Sequence, residues 1–177
     1  MIAGEQIGFM VSEKWTEVRI RIRRTILGQL MSTDSYDQFD DQPYIWHEGP
    51  GQIFLSALPS TDTSPSTTSL DNYAGDGDWF KIAYAGPLNS TDWSLYWKLG
   101  MNATIPLTTP PGKYLMRIEQ FMPGPKFNQT EWYVACAQIE IVGPGGGKPE
   151  GIWRFPGAYP DPYSPSKSLY FFGAESF

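Results

Sequence analysis

The chain of 177 residues contains one histidine, His47, and one cysteine, Cys136. His47 lies in the segment Trp46-His47-Glu48-Gly49-Pro50, where glycine and proline are expected to turn the chain directly after the imidazole. With one histidine, no site formed by these residues alone can hold two imidazoles. With one cysteine, no disulfide can close within them. A lone histidine is either a metal ligand or an ordinary hydrogen-bonded loop residue, and its surroundings must decide between the two.

Carboxylates offer a second kind of chemistry. Glu119 and Glu131 could serve as the acid and the base, or the acid and the nucleophile, of a glycosidase. The chain has 19 acidic residues, however, so a pair of this kind can be picked out almost anywhere. The glycosidase hypothesis therefore has little force from the sequence.

The elements that must position these residues are predicted to be β-strands. Aromatic residues make up 15% of the chain, and the 18 glycines and 16 prolines indicate many loops, which is typical of all-β domains. Alternating or apolar runs predict strands in these segments: Glu17–Ile26, Gln52–Leu58, Ala103–Leu107, Lys113–Phe121 and Trp132–Val142. Trp79–Ile82 is predicted to be a short buried strand or a turn. Short strands with turns between them favour an antiparallel β-sandwich in a single domain.

Charge and hydropathy exclude several functions. The net charge of −6 argues against a general nucleic-acid binder or a binder of anionic membranes. No apolar run approaches the roughly 20 residues that a membrane helix needs. Three glycosylation sequons, at Asn89, Asn102 and Asn128, favour a secreted origin, although the first ten residues do not read as a signal peptide.

Four blocks carry a resemblance to a known family. In chain order they are Trp46 to Pro50, Trp79-Phe80-Lys81-Ile82, Thr104-Ile105-Pro106 with Pro111 to Glu119, and Trp132 to Ile141 closed by Phe155-Pro156-Gly157-Ala158-Tyr159. Together they resemble the fungal lytic polysaccharide monooxygenases of auxiliary-activity family nine, over about Tyr44 to Tyr170. The order of the blocks carries more weight than any one of them.

The resemblance implies an immunoglobulin-like β-sandwich with a flat face. It also implies one copper ion, held by the amino group and imidazole of an N-terminal histidine, by a second histidine, and by a tyrosine near the axial position. Nitrogen ligands in a tetragonal arrangement suit Cu(II). The implied activity is oxidative cleavage of cellulose or a related polysaccharide by a secreted monomer that receives electrons from an external donor.

Residue by residue, the resemblance makes His47 the second copper histidine and Tyr133 the axial tyrosine. Glu131 stands where the family has a glutamine, so that an amide donor is lost and a charge is added. Tyr170 matches a tyrosine that binds substrate, and Cys136 matches a disulfide cysteine whose partner is missing here, which predicts a buried free thiol. Ordinary structural roles remain open for Glu131, Tyr133 and Tyr170.

The start of the chain departs from the family, because it reads Met1-Ile2-Ala3 and not histidine. We therefore expect residues 1–32 to be an atypical N-terminal segment and residues 33–177 to form the monooxygenase-like domain. Copper binding is expected to be weakened and the activity impaired. Two interpretations stay open, a front-truncated form of a normal enzyme, which we favour, and a natural inactive relative. The alternative function is a non-catalytic carbohydrate-binding protein on the same fold.

Overall fold

The computed structural model describes residues 2–10, 19–23, 44–59, 70–124 and 129–159. Within them the chain forms seven β-strands and one short 3-10 turn, Leu70–Asn72. The strands are β1 (Gln6–Met10), β2 (Arg19–Arg23), β3 (Gly51–Ala57), β4 (Phe80–Ala85), β5 (Gly100–Thr104), β6 (Gly112–Met122) and β7 (Glu131–Ile141). No helix in these segments is long and apolar enough to span a membrane.

The strands form two sheets. A three-stranded sheet has the order β2-β1-β5, and a four-stranded sheet has the order β4-β3-β6-β7. All pairings between these strands are antiparallel, and β6 and β7 pair along their full length, from Gly112 opposite Ile141 to Met122 opposite Glu131. The predicted all-β antiparallel sandwich is therefore confirmed.

The core lies between the two sheets. Because side chains alternate along a strand, every second residue of β1 and of β3 to β7 points inward. Most of these inward residues are apolar and buried, and the core cluster includes Ile7, Phe9, Ile53, Leu55, Phe80, Met101, Ala103, Tyr114, Met116, Ile139 and Ile141. We call this side of the four-stranded sheet the inner face. It holds the sandwich together by removing apolar surface from water.

Strand β1 was not among the predicted strands, and it lies within the segment predicted to be atypical. Ile7 and Phe9 of β1 are nevertheless buried in the core, and β1 pairs with both β2 and β5. Strand β2 falls within the predicted strand at Glu17–Ile26, whereas the rest of that prediction lies outside the described residues. The proposed boundary after residue 32 stays a prediction.

The opposite side of the four-stranded sheet is covered by an aromatic layer. Phe54 of β3 contacts Trp153 and Phe155 with ring centroids 5.9 and 5.3 Å apart. Trp79 and Tyr159 extend this layer over the sheet. We call the residues Phe54, Trp79, Trp153, Phe155 and Tyr159 the outer layer, and the side of the sheet beneath them the outer face.

Candidate functional site

His47 and Tyr133 meet at one end of the four-stranded sheet. Their rings are stacked, with centroids 5.0 Å apart and planes inclined by 12°. Both side chains are partly exposed, so that solvent can reach them. The structure thus brings together the two residues that were predicted to share a metal, although they are far apart in the sequence.

The turn after His47 is held against the end of β6 by main-chain contacts. Phe121 donates its N–H to the carbonyl of Pro50 at 3.1 Å. Gly49 has a φ of +147°, and a Cβ there would lie 1.9 Å from the carbonyl oxygen of Phe121. No other residue can occupy that position without moving the strand, which gives a physical reason for the Gly-Pro after the histidine.

Gln120 is a residue of this site that the sequence reasoning missed. Its Nε2 donates to the carbonyl oxygen of His47 at 3.1 Å, and it lies directly opposite Tyr133 in the β6–β7 pairing. It occupies an inward position of β6, in line with the apolar residues Tyr114 and Met116. A buried amide in an otherwise apolar alternation was the signal that could have identified it.

Glu131 and Tyr133 are linked through their side chains. They are two residues apart on β7 and so lie on the same face, and the phenol O–H of Tyr133 donates to Oε2 of Glu131. Partial desolvation, this hydrogen bond and the negative charge of Glu131 together raise the pKa of Tyr133 to about 12. The phenol is thus tied to the carboxylate of Glu131 as its hydrogen-bond donor.

His47 and Tyr133 are residue types that can bind copper, but two ligands are too few to form a copper site. The imidazole of His47 is a suitable nitrogen donor, and the oxygen of Tyr133 is a weak one. Among the described residues there is no group of three or more His, Cys, Asp or Glu side chains that could hold a metal ion. The arrangement could supply two donors to a copper ion, and further donors would have to complete such a site.

The glycosidase pair is not brought together. Glu119 and Glu131 lie on opposite faces of the four-stranded sheet, since Glu119 pairs with Val134 and side chains alternate along β7. Glu119 is fully buried and bonded to Arg117, whereas Glu131 is exposed. Two carboxyl groups on opposite faces cannot act on one glycosidic bond.

Two further predictions concern single residues. Tyr170, the predicted substrate-binding tyrosine, lies outside the described residues. Cys136 was predicted to be buried, and this is wrong: the free thiol belongs to an exposed residue of β7. The reason is its position, since even-numbered residues of β7 point to the outer face, and there the outer layer leaves a cavity of about 500 Å³ beside Cys136, lined also by Trp79, Trp132 and Arg117.

Comparison with known proteins identifies a family. The model of "Auxiliary Activity family 9 (formerly GH61)" matches residues 3–168. The AA9 family lytic polysaccharide monooxygenase U of Thermothielavioides terrestris is 53% identical over 159 residues, which are 90% of this chain and 50% of that protein. The AA9 family lytic polysaccharide monooxygenase D of Aspergillus tamarii is 38% identical over 120 residues, which are 64% of this chain and 41% of that protein.

A solved structure is also similar to this chain. The crystal structure of a cellulose-active polysaccharide monooxygenase from M. thermophila superposes with a TM-score of 0.49 and 25% identity, covering 60% of this chain and 50% of that one. The chain spans half or less of the length of the two curated relatives described above.

Proposed function

Since this chain belongs to Auxiliary Activity family 9, we propose that it is a copper-dependent lytic polysaccharide monooxygenase with its copper site at His47 and Tyr133. The names of its relatives support the class of reaction. The observation that carries the location is the stacking of the two rings, 5.0 Å apart, at a solvent-accessible end of the sheet. The proposed substrate is cellulose or a related polysaccharide, and the proposed electron source is an external donor. We propose a secreted monomer.

Each residue of the site has a proposed role. His47 supplies an imidazole nitrogen to the metal, and Tyr133 presents its oxygen as a weak donor. Bound copper would supply one-electron redox chemistry toward oxygen. Glu131 accepts a hydrogen bond from the phenol and so orients Tyr133. Gln120 donates a hydrogen bond to the carbonyl oxygen of His47 and so fixes the main chain there.

We further propose that copper binding by these 177 residues is weak and that the activity is impaired. His47 is the only histidine in the sequence, so a tetragonal nitrogen site lacks most of its donors. The phenol of Tyr133 is engaged as a hydrogen-bond donor to Glu131, and its oxygen is a weak ligand compared with the missing nitrogens.

Copper titration tests the location. We expect Cu(II), followed by calorimetry and electron paramagnetic resonance, to bind the unaltered chain weakly with one protein nitrogen coupled to the metal. His47→Ala should abolish that binding, and Tyr133→Phe should weaken it. Glu48→Gln, next to His47 but exposed, is the matched control and should bind copper normally. Unchanged copper binding in His47→Ala would show that the site lies elsewhere.

Supplying nitrogen ligands from solution tests whether copper binding is weak because such ligands are missing. Histamine carries an amine and an imidazole in one molecule, and we expect it to tighten copper binding to the unaltered chain and to add nitrogen couplings to the spectrum. The same addition should have no such effect on His47→Ala. Release of oxidised oligosaccharides from cellulose with a reductant, with and without histamine, then measures how far the activity is impaired.

A non-catalytic carbohydrate-binding protein is the second candidate. It is favoured by the shortage of metal donors and by two exposed tryptophans near the site, Trp46 and Trp97. Retention on cellulose that does not change when copper is added or chelated, with no oxidised product under any condition, would favour this alternative over the enzyme.

A further inference from the structure

The cavity of about 500 Å³ on the outer face of the four-stranded sheet is separate from the candidate copper site. Strands β6 and β7 contribute Leu115, Arg117 and Cys136 to its lining, and the outer layer contributes aromatic rings. Because side chains alternate along β7, Tyr133 points to the opposite face of the sheet from Cys136. We call this space the outer cavity. Its volume lies within the range of roughly 300–1,000 Å³ that is typical of small-molecule sites.

The aromatic walls of the outer cavity are fixed by contacts with one another. The ring centroid of Trp132 lies 4.8 Å from that of Tyr159, and the centroid of Phe155 lies 5.7 Å from those of both Tyr159 and Trp79. Nε1 of Trp79 donates to the carbonyl of Gly75 at 2.7 Å, so the polar group of this indole is already bonded. Walls of this kind favour a flat apolar ligand, since they need little further ordering when it binds.

A single cation determines the charge of the cavity wall. Among the described residues that line the cavity, Arg117 is the one that carries a full charge at neutral pH. Its guanidinium lies 4.5 Å from the ring centre of Phe155, and its Nε and one terminal nitrogen both contact Oε2 of Glu119 at 3.0 Å. A guanidinium has more N–H groups than one oxygen can accept, so donors remain for a second anion. Glu119 is fully buried and does not line the cavity, so a ligand meets the guanidinium and not the carboxylate.

We propose that the outer cavity binds a small aromatic carboxylate, whose ring packs against the aromatic walls while its carboxylate accepts hydrogen bonds from Arg117. An aromatic amine would be repelled by the guanidinium. A sugar is disfavoured because most of the lining is apolar and would leave its hydroxyl groups without partners. Binding in this cavity needs no copper, so the inference is independent of the proposed function.

Two compounds of similar shape test the ligand class. We expect naphthalene-2-carboxylate to bind the unaltered chain about tenfold more tightly than the uncharged naphthalene-2-methanol, as measured by calorimetry. The thiol of Cys136 reports where the compound binds, because it belongs to the cavity lining. Saturating naphthalene-2-carboxylate should slow the alkylation of Cys136 by iodoacetamide, in which the thiolate sulfur bonds to carbon and iodide leaves. Mass spectrometry measures that rate.

The role of Arg117 is tested in the Glu119→Gln background, so that no buried carboxylate loses its partner. Glu119→Gln alone should bind naphthalene-2-carboxylate more tightly than the unaltered chain, because the guanidinium is no longer paired with an anion. Adding Arg117→Met should weaken that binding at least tenfold and remove the preference over naphthalene-2-methanol. Lys113→Gln is the matched control and should bind normally, since it removes an exposed cation from the same face of β6 outside the cavity.

Filling the cavity tests its location in a second way. Leu115→Trp places a larger side chain in the lining, and reaction of the unaltered chain with N-benzylmaleimide attaches a benzyl group to Cys136. Either change should abolish binding of naphthalene-2-carboxylate. If circular dichroism shows that Leu115→Trp does not fold, the alkylated chain supplies the result.

Several outcomes would overturn the inference. They are the absence of binding, equal affinity of the unaltered chain for the two compounds, an alkylation rate that naphthalene-2-carboxylate does not change, and full binding by the alkylated chain. A dimer of the unaltered chain that dissociates when Cys136 carries the benzyl group would also overturn it, by assigning the cavity to a second copy. The copper titration of His47→Ala decides the proposed function separately.

Discussion

The two faces of the four-stranded sheet both carry fully buried residues, but these residues differ in chemistry. On the inner face, fully buried residues such as Ile53, Leu55 and Met116 are all apolar. On the outer face, Phe54 is equally buried, yet the fully buried Gln52 and Glu119 lie beside it. Apolar burial accounts for most of the inner face, where Gln120 is a buried polar exception, whereas the outer face holds fully buried polar groups that need partners.

Cations and aromatic rings supply most of these partners. Nε of Arg117 donates to Glu119 at 3.0 Å, and its guanidinium lies 4.5 Å from the ring centre of Phe155. Nζ of Lys81 lies 4.8 Å from the ring centre of Trp153. The outer layer therefore covers the sheet and also interacts with its charges through the faces of its rings.

Two buried oxygens on the outer face lack a hydrogen-bond donor. Oε1 of Glu119 and Oε1 of Gln52 are buried without hydrogen-bond partners among the described residues, and the two residues lie directly opposite each other on β6 and β3. Burial raises the pKa of Glu119 to about 7, against the lowering effects of Arg117 and Lys81. A proton on Glu119 would provide the donor that both oxygens lack.

The largest expected effect comes from breaking the outer layer itself. Phe54→Ala should lower the free energy of unfolding by about 3–5 kcal/mol, comparable to the roughly 2–5 kcal/mol expected for Met116→Ala on the inner face. Urea denaturation of the two variants measures both values. If Phe54→Ala costs less than about 1 kcal/mol, the outer layer is only a loose cover and the two faces differ more than we infer.

The next largest expected effect is a change of the free energy of unfolding with pH. Because the pKa of Glu119 is raised from 4.5 to about 7 in the folded protein, the folded state binds a proton that the unfolded state has released between these values. The contribution of Glu119 to stability is therefore present below about pH 4.5 and is lost as the pH rises to about 7. The loss across this window is of the order of 3 kcal/mol.

Glu119→Gln isolates this contribution. An amide at position 119 supplies a permanent donor toward Gln52, so the variant should lack this part of the pH dependence and should be more stable than the unaltered chain at pH 8. Other carboxyl groups titrate in both proteins and cancel in the difference. Equal slopes of stability against pH in the two proteins would mean that Glu119 titrates normally.

A smaller effect is expected from Arg117. Arg117→Met removes the partner of a buried carboxylate and should cost about 2 kcal/mol at neutral pH, less than for a fully buried pair because Arg117 is 21% exposed. In the Glu119→Gln background the same change should cost little. A double-mutant cycle at pH 8 measures this coupling, and additive effects would argue against the ion pair as a stabilising contact.

The smallest effect concerns Cys136. Cys136→Ser should change the free energy of unfolding by no more than about 0.5 kcal/mol, as expected for an exposed position. Its thiol should react with a disulfide reagent in the folded protein. Because partial desolvation raises the pKa of Cys136, the rate should still be increasing at pH values where the rate of a free cysteine has levelled off. Reaction only after unfolding would contradict the exposed placement.

The inner face was largely predictable from the sequence, and the outer face was not. Alternation along Lys113–Phe121 and Trp132–Val142 predicted β6 and β7 to within two residues, because one buried face imposes a period of two. The same pattern could not show that Arg117 and Cys136 face a cavity or that Glu119 is covered, since these depend on where the loop at 153–159 folds. Strand β1 was missed because five residues with a central glycine carry too little pattern.

For the candidate site, the sequence predicted that His47 and Tyr133 come together, but it did not predict the residues that hold them in place. The family motifs pointed to His47 and Tyr133, and the structure stacks their rings. The contact of Gln120 with His47 depends on a hydrogen bond between segments that are far apart in the sequence. The sequence shows residue types along a chain, whereas these features arise only when separate segments come together.

The close approach of Gly49 to Phe121 has a consequence for how this site can vary through evolution. The atom that excludes a side chain at position 49 is a main-chain carbonyl, which every amino acid at position 121 would present. A change of side chain at position 121 therefore leaves this steric exclusion in place, while a single codon change at Gly49 displaces the turn that carries His47. Surveys of natural variants should find position 49 intolerant wherever the histidine is retained, whichever residue stands at position 121.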